Sequence, residues 1–150
     1  MKKWVMIVLA GVLLLFTLSG CNLVNEAKNT ITYVDQAIGF INTATDFAND
    51  APPLAERAVN DTQAAKDLEA MLLDMKQEIE EFNSLQPPEV AADLHQQIVD
   101  KNTVVLNGIN LYLDSIKDGK LDPAILENTE LFQTINDMSD LIDQLQQLGK

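Results

Sequence analysis

Apolar residues recur at alternating intervals of three and four along most of the chain after residue 23, and this spacing restricts the fold more than any other feature. The periodic runs occupy about Val24–Asn49, Thr62–Ser84, Pro88–Lys117 and Asp122 to the C-terminus, with room for a break near Asn128–Thr129. No segment alternates between apolar and polar residues as a half-buried strand does. The sequence therefore predicts an all-α protein built from four amphipathic helices.

Proline and glycine mark the ends of the predicted helices. The residue before a proline is disfavoured in a helix and proline has no amide donor, so we expect the first helix to end at Pro52–Pro53. A short helical corner over Leu54–Val59 follows. Pro87–Pro88 separates the second helix from the third, and Gly119 supplies the C-cap of the third. Short connections of this kind predict an antiparallel up-down-up-down four-helix bundle.

The N-terminus has the order of parts of a secretory signal peptide. Lys2 and Lys3 are followed by a stretch, Trp4–Phe16, that is apolar apart from Gly11. Counted to Leu18, the apolar run is about 15 residues long, short of the roughly 20 that a membrane-spanning helix needs. We therefore expect residues 1–20 to be removed, leaving one helical domain over 21–150, although a retained anchor helix is the alternative.

The four residues Leu18-Ser19-Gly20-Cys21 resemble a bacterial lipobox, with a branched apolar residue, two small residues and the obligatory cysteine. The resemblance implies cleavage after Gly20 and a diacylglyceryl group on the sulfur of Cys21. Two acyl chains suffice for stable membrane anchoring, whereas one chain binds only marginally. Cys21 is thus the predicted lipidation site, and no cofactor besides this covalent lipid is expected.

Charge and composition exclude several classes of function. Without Lys2 and Lys3 the chain keeps 8 basic and 23 acidic side chains, a net charge of −15, which opposes binding to nucleic acid. One cysteine and one histidine exclude a disulfide framework and a zinc cluster, and we expect no metal site.

No catalytic residues are predicted. His95 is expected at the edge of the core without a nucleophile or carboxylate at helical spacing. Paired carboxylates such as Glu78, Glu80 and Glu81 could cleave cell-wall glycan, but in so acidic a chain they indicate a solvated helix face. The protein is therefore expected not to be an enzyme, and a cell-wall-active enzyme is the least favoured reading.

Asn102 interrupts the apolar seam of the third helix. One interpretation is a polar layer that fixes the helix register, with Thr45 as the partner of the amide. The other is a ligand cavity lined by Asn102, Tyr112 and Thr45, since a buried amide needs partners in either case. Both interpretations stay open on the sequence alone.

Several segments, together with the lipobox, resemble a family of small lipoproteins of unknown function from Gram-positive bacilli. They are Tyr33-Val34 through Ile41–Asn49, Ala51-Pro52 and Gly119–Ala124. The resemblance implies a lipid-anchored protein on the outer face of a Gram-positive cytoplasmic membrane and carries over no activity. We expect a non-enzymatic module that binds or modulates another envelope protein, and a small-molecule-binding bundle is the alternative. The oligomeric state is left open.

Overall fold

The computed structural model describes residues 20–117, 122–124 and 130–150, with side chains of the first range described from residue 26 onward. These residues form helices and turns, and no strand occurs among them. The helices are α1 (Gly20–Ala58), α2 (Thr62–Asn83), α3 (Ala92–Lys117), α4 (Leu131–Ser139) and α5 (Ile142–Leu148), and a 3-10 turn over Glu89–Ala91 precedes α3. The prediction of an all-α protein is confirmed.

The helices pack in a closed cycle around one apolar core. Helix α1 contacts α2, α4 and α5, while α3 contacts α2 and α4. The largest fully buried side chains come from all of these helices: Ile41, Leu68, Leu72, Ile79, Ile98, Ile109, Tyr112, Leu131, Ile135, Met138 and Leu145. Among the described residues, no helix combines the length and apolar composition that crossing a membrane requires.

Helix α1 continues through Pro52–Pro53, so the prediction that these prolines end it is wrong. The apolar face persists past the prolines, with Ala51, Leu54, Ala55 and Ala58 buried against the rest of the molecule. The two carbonyls that lose their helical donors belong to Ala48, which is half buried, and to Asn49, which is exposed. Packing of the buried side therefore outweighs the local preference for a break.

The start of α1 and its buried face also differ from expectation. The helix begins at Gly20 rather than Val24, because no breaker separates Cys21 from the first apolar residues. Its most buried row runs through Ala37, Ala44 and Ala51, whereas Ile31, which the three-four apolar spacing of the sequence places on the core side, is half exposed. The small alanines allow neighbouring helices to approach α1 closely.

Helices α2 and α3 follow the sequence pattern closely. Asp61 caps α2, since its Oδ1 accepts hydrogen bonds from the backbone amides of Gln63 at 2.8 Å and Ala64 at 3.3 Å. Asn102, the polar interruption of the α3 seam, is fully buried as that seam requires.

The C-terminal segment contains a break between two helices that the sequence does not predict. Between α4 and α5 the Leu141 amide donates to the Met138 carbonyl at 3.0 Å, an i to i−3 bond that tightens the chain locally. The tighter turn buries Leu141, while Ile142, which the three-four apolar spacing of the sequence places in the core, is only partly buried. At the α4–α5 break the buried position is therefore Leu141 rather than Ile142, while Leu145 of the following turn is fully buried.

Several predictions lie outside the described residues. These are the signal peptide up to residue 19, the side chain of Cys21, the Gly119 cap and the break near Asn128–Thr129. Asp122, where the fourth predicted helix begins, is described, and its Oδ1 accepts a hydrogen bond from the Ala124 amide at 2.9 Å, as an N-cap does.

Candidate functional site

A groove runs along the outer surface between α1 and α2, and we call it the α1–α2 groove. Its wider part, about 490 Å³ in volume, extends from Thr43 to Asp50 on α1. Its narrower part, about 240 Å³, extends from Gln36 to Thr43, and the two parts share Thr43 and Glu78 in their walls. From Asp67 to Phe82 on the α2 side, the groove is about 22 Å long at 1.5 Å per helical residue.

The floor of the groove is apolar. It is formed by aromatic, methionine and leucine side chains that are buried or half buried: Phe40, Phe47, Met71, Met75, Phe82 and Leu85. Gly39 lies beside this floor in the middle of α1, where a Cβ atom would meet no other atom within 4 Å. The absence of a side chain at Gly39 therefore keeps the narrower part of the groove open.

The rim of the groove is acidic. It carries five exposed carboxylates, Asp50, Asp67, Asp74, Glu78 and Glu81, and no lysine or arginine lines either part. Within the described residues, the ion pairs are Lys101–Asp137 and Lys117–Asp114, and both lie away from the rim. The described part of the chain contains no group of three His, Cys, Asp or Glu residues that could hold a metal ion. The negative charge of the rim is therefore spread along the groove rather than gathered at one point.

Asn102 is paired across the core with α2. Its Nδ2 donates a hydrogen bond to Oδ1 of Asn83 at 2.8 Å, so the predicted pairing with Thr45 is wrong. Thr45 instead faces α4, where its hydroxyl lies 3.3 Å from that of Ser139 and donates to the Ile41 carbonyl at 2.8 Å. The polar layer exists, but it joins α3 to α2 rather than to α1.

Tyr112, the third predicted ligand-binding residue, is fully buried on α3. Burial raises the pKa of its hydroxyl, and the nearby carboxylate of Asp122 raises it further. Asn102, Tyr112 and Thr45 line neither part of the α1–α2 groove. The structure does not bring them together in one described pocket, and a ligand site at these residues stays a prediction.

His95 belongs to an aromatic stack behind the groove floor. Its Nδ1 lies 3.1 Å from the hydroxyl of Tyr33, and its ring stacks on Phe82, which in turn stacks on Phe40. Burial lowers the pKa of His95 and raises the pKa of Tyr33 to about 12, so at neutral pH both side chains are uncharged. The Tyr33 hydroxyl can then donate to Nδ1 of the neutral ring. This arrangement supports the groove floor from inside.

The sequence pattern did not predict the groove, although two of its rim carboxylates, Glu78 and Glu81, stood out in it. Glu78 was expected only as part of a solvated face, and Asp50 lies on another helix. The signal within one helix was the recurrence of Asp67, Asp74, Glu78 and Glu81 along one side of α2. The missing information was the packing of α1 beside that row.

The start of α1, the α2–α3 connection and the C-terminus meet at one end of the molecule. A shallow pocket there is lined by Ala27 and Ile31 of α1, Val90 of the 3-10 turn and the C-terminal residues Leu148–Lys150. This end lies nearest to Cys21 along the chain, and the α1–α2 groove lies farther along α1.

The chain is similar to known proteins over nearly its whole length. Residues 33–148 match the family described as a family of unknown function, DUF6376. The chain is also 34% identical over 148 residues to the uncharacterized lipoprotein YybP of Bacillus subtilis strain 168, covering 99% of each protein. No solved structure matches it. It is accordingly a lipoprotein of the cell membrane, and it belongs to the DUF6376 family.

Proposed function

We propose that this lipoprotein is a non-enzymatic binding module that docks another envelope protein in the α1–α2 groove. The observation that carries the proposal is the combination of an apolar floor and an unneutralised acidic rim in one surface groove. Grooves lined by apolar side chains with a few polar groups at the edge are the usual form of protein recognition sites for helices.

The anchoring geometry supports this role. We propose lipid attachment at Cys21 and an antiparallel up-down-up-down bundle whose Cys21 end rests at the lipid head groups. At 1.5 Å per residue, Gln36 lies about 22 Å and Asp50 about 44 Å along α1 from Cys21. The head-group layer is about 5–7 Å thick on each side of a bilayer, so an upright α1 holds the groove clear of it.

Distance also separates the acidic rim from the charge of the membrane. The Debye length is about 8 Å at physiological ionic strength, so anionic head groups more than 20 Å away are largely screened from the groove. The lipid holds the molecule at the surface, and the carboxylates are free to select a partner above it.

Photo-crosslinking in living cells tests the proposal. Ala70 and Leu73 are both exposed on α2, but Ala70 lines the groove and Leu73 does not. Benzoylphenylalanine at position 70 is expected to capture a defined envelope protein, and the same group at position 73 is expected to capture none. Equal capture from both positions, or capture from neither, would contradict the proposal.

A second candidate function is a small-molecule site near Asn102. Oδ1 of Asn102 and the hydroxyl of Tyr112 are buried without a hydrogen-bond partner among the described residues, and such groups call for a ligand or an ordered water. An experimental electron-density map of the purified protein distinguishes these outcomes. Density larger than one water beside either atom would favour this candidate, and density for single waters would exclude it.

A further inference from the structure

We propose that the segment bound in the α1–α2 groove is a cationic amphipathic helix of about four turns. The inference rests on the proposed function and specifies the chemistry of the partner. An apolar stripe on that helix contacts the groove floor, and lysine or arginine side chains beside the stripe pair with the rim carboxylates.

The floor suits an apolar helix face rather than a small polar ligand. Met71, which is half buried, is unbranched and adapts to differently shaped side chains, while Phe40, Phe47 and Met75 are buried and form a fixed apolar base of the groove. Beside Gly39, the α1 backbone is uncovered, so a partner helix can approach there more closely than at any larger residue. The length of about 22 Å corresponds to about 15 helical residues.

The rim selects positive charge. On α2 the carboxylates of Asp67, Asp74, Glu78 and Glu81 recur at helical spacing, and Asp50 extends the field to α1. Lys76, a cation of the same helix, is directed to α3, where its Nζ donates to Oδ1 of Asn110 at 3.1 Å. Positive side chains on a helical partner would therefore meet carboxylates that no described lysine or arginine neutralises.

Charge also argues against the other occupants. A second copy of the mature chain, without residues 1–20, brings a net charge of −15 and would place carboxylates against carboxylates. Nucleic acid is repelled for the same reason, and an anionic membrane surface lies too far below the groove. A cationic helix is the occupant that both the floor and the rim favour.

The test uses the mature lipidated protein in phosphatidylcholine nanodiscs and a 16-residue probe peptide, four repeats of Leu-Lys-Lys-Leu, with empty nanodiscs subtracted. The unmodified protein is expected to bind this peptide but not its glutamate analogue, with affinity falling as salt rises. Asp74→Lys with Glu78→Lys is expected to weaken binding about tenfold or more. The matched control, Glu69→Lys with Glu80→Lys, makes the same change in net charge outside the groove and is expected to weaken binding less than about twofold.

Equal losses in the two double variants would overturn the inference, because binding would then follow overall charge rather than the groove. Circular dichroism melting curves verify that both variants fold. The inference also fails if the protein captured from position 70 contacts the groove through a segment without basic residues, and the proposed function survives that result. If the peptide binds in the groove but no protein is captured in cells, the proposed function fails and the chemistry inferred for the groove survives.

Discussion

Two glycines in the middle of long helices show how differently the two sides of this molecule are packed. A Cβ atom at Gly108 of α3 would lie 2.7 Å from Cδ1 and 3.0 Å from Cβ of Leu131 on α4. A Cβ atom at Gly39 of α1 would meet nothing within 4 Å. The same residue type closes the α3–α4 interface and opens the α1–α2 groove.

The comparison indicates that the α3–α4 interface serves the stability of the protein and that the α1–α2 groove serves binding. Leu131 is fully buried against Gly108, so that side of the molecule has no room to admit a partner. On the other side a surface groove lies over apolar side chains that are buried or half buried, and its rim is charged. Changes on the closed side should therefore alter the free energy of unfolding, and changes on the open side should alter binding.

The largest effect is expected from Leu131→Ala. Removing a fully buried leucine leaves a cavity at the closed interface and should lower the free energy of unfolding by about 2–5 kcal/mol. Chemical denaturation of the mature protein measures it. Met71→Ala, at a half-buried position on the groove floor, should cost about 1 kcal/mol. Equal costs for the two variants would show that the two sides do not differ in packing.

Gly108→Ala should lower the free energy of unfolding by about 1–2 kcal/mol, because the new methyl group forces Leu131 away and the clash exceeds the gain in helix propensity. A double-mutant cycle sharpens this expectation. In the Leu131→Ala background the contacts with Cδ1 and Cγ are removed and only the Cβ atom at 3.0 Å remains, so Gly108→Ala should cost less than in the unmodified protein. A cost that is the same in both backgrounds would refute the contact.

Gly39→Ala should have the opposite sign from Gly108→Ala. The added methyl group meets no atom, and alanine is favoured over glycine in a helix interior by about 1 kcal/mol, so the free energy of unfolding should rise by that amount. Thermal melting of the two alanine variants side by side measures the contrast. Destabilisation by Gly39→Ala would mean that the groove is closed at this position.

The smallest expected effect is the contribution of His95 to the pH dependence of the free energy of unfolding. Burial lowers the pKa of His95 in the folded protein below the ordinary histidine value of 6.5, so the unfolded chain binds the proton more readily. The contribution of the neutral ring to stability is complete above about pH 6.5 and is lost as the pH falls below that value. Chemical denaturation between pH 5 and about pH 7.5 should show that the free energy of unfolding falls as the pH is lowered, and that this fall is smaller in His95→Gln. The same dependence on pH in both proteins would contradict the prediction.

The helical periodicity was sufficient to predict most of the fold. The seams of α2 and α3 and the cap at Asp61 depend on local spacing and on one side chain, and both are visible in the sequence. Two of the departures from the predicted helix ends have one cause. At Pro52–Pro53 and at Leu141, burial of apolar neighbours decides the backbone path, and burial depends on helices distant in the chain.

The candidate site was less accessible to prediction. Asn102 was identified as a buried polar residue, but its partner Asn83 precedes a connection whose path could not be derived from spacing. The α1–α2 groove required the relative position of two helices. The openness at Gly39 is equally invisible in the sequence, because Gly39 and Gly108 look alike until their neighbours are known.

The most direct test of the groove as the binding surface is the affinity of the lipidated protein for the Leu-Lys-Lys-Leu peptide when Gly39 is replaced by leucine. Gly39→Leu places a large side chain in the open space, while Gly39→Ala adds only a Cβ atom and is the matched control. Both variants should be at least as stable as the unmodified protein. Gly39→Leu is expected to bind the peptide about tenfold or more weakly than Gly39→Ala. Equal affinity of the two variants would show that the groove is not where the partner binds.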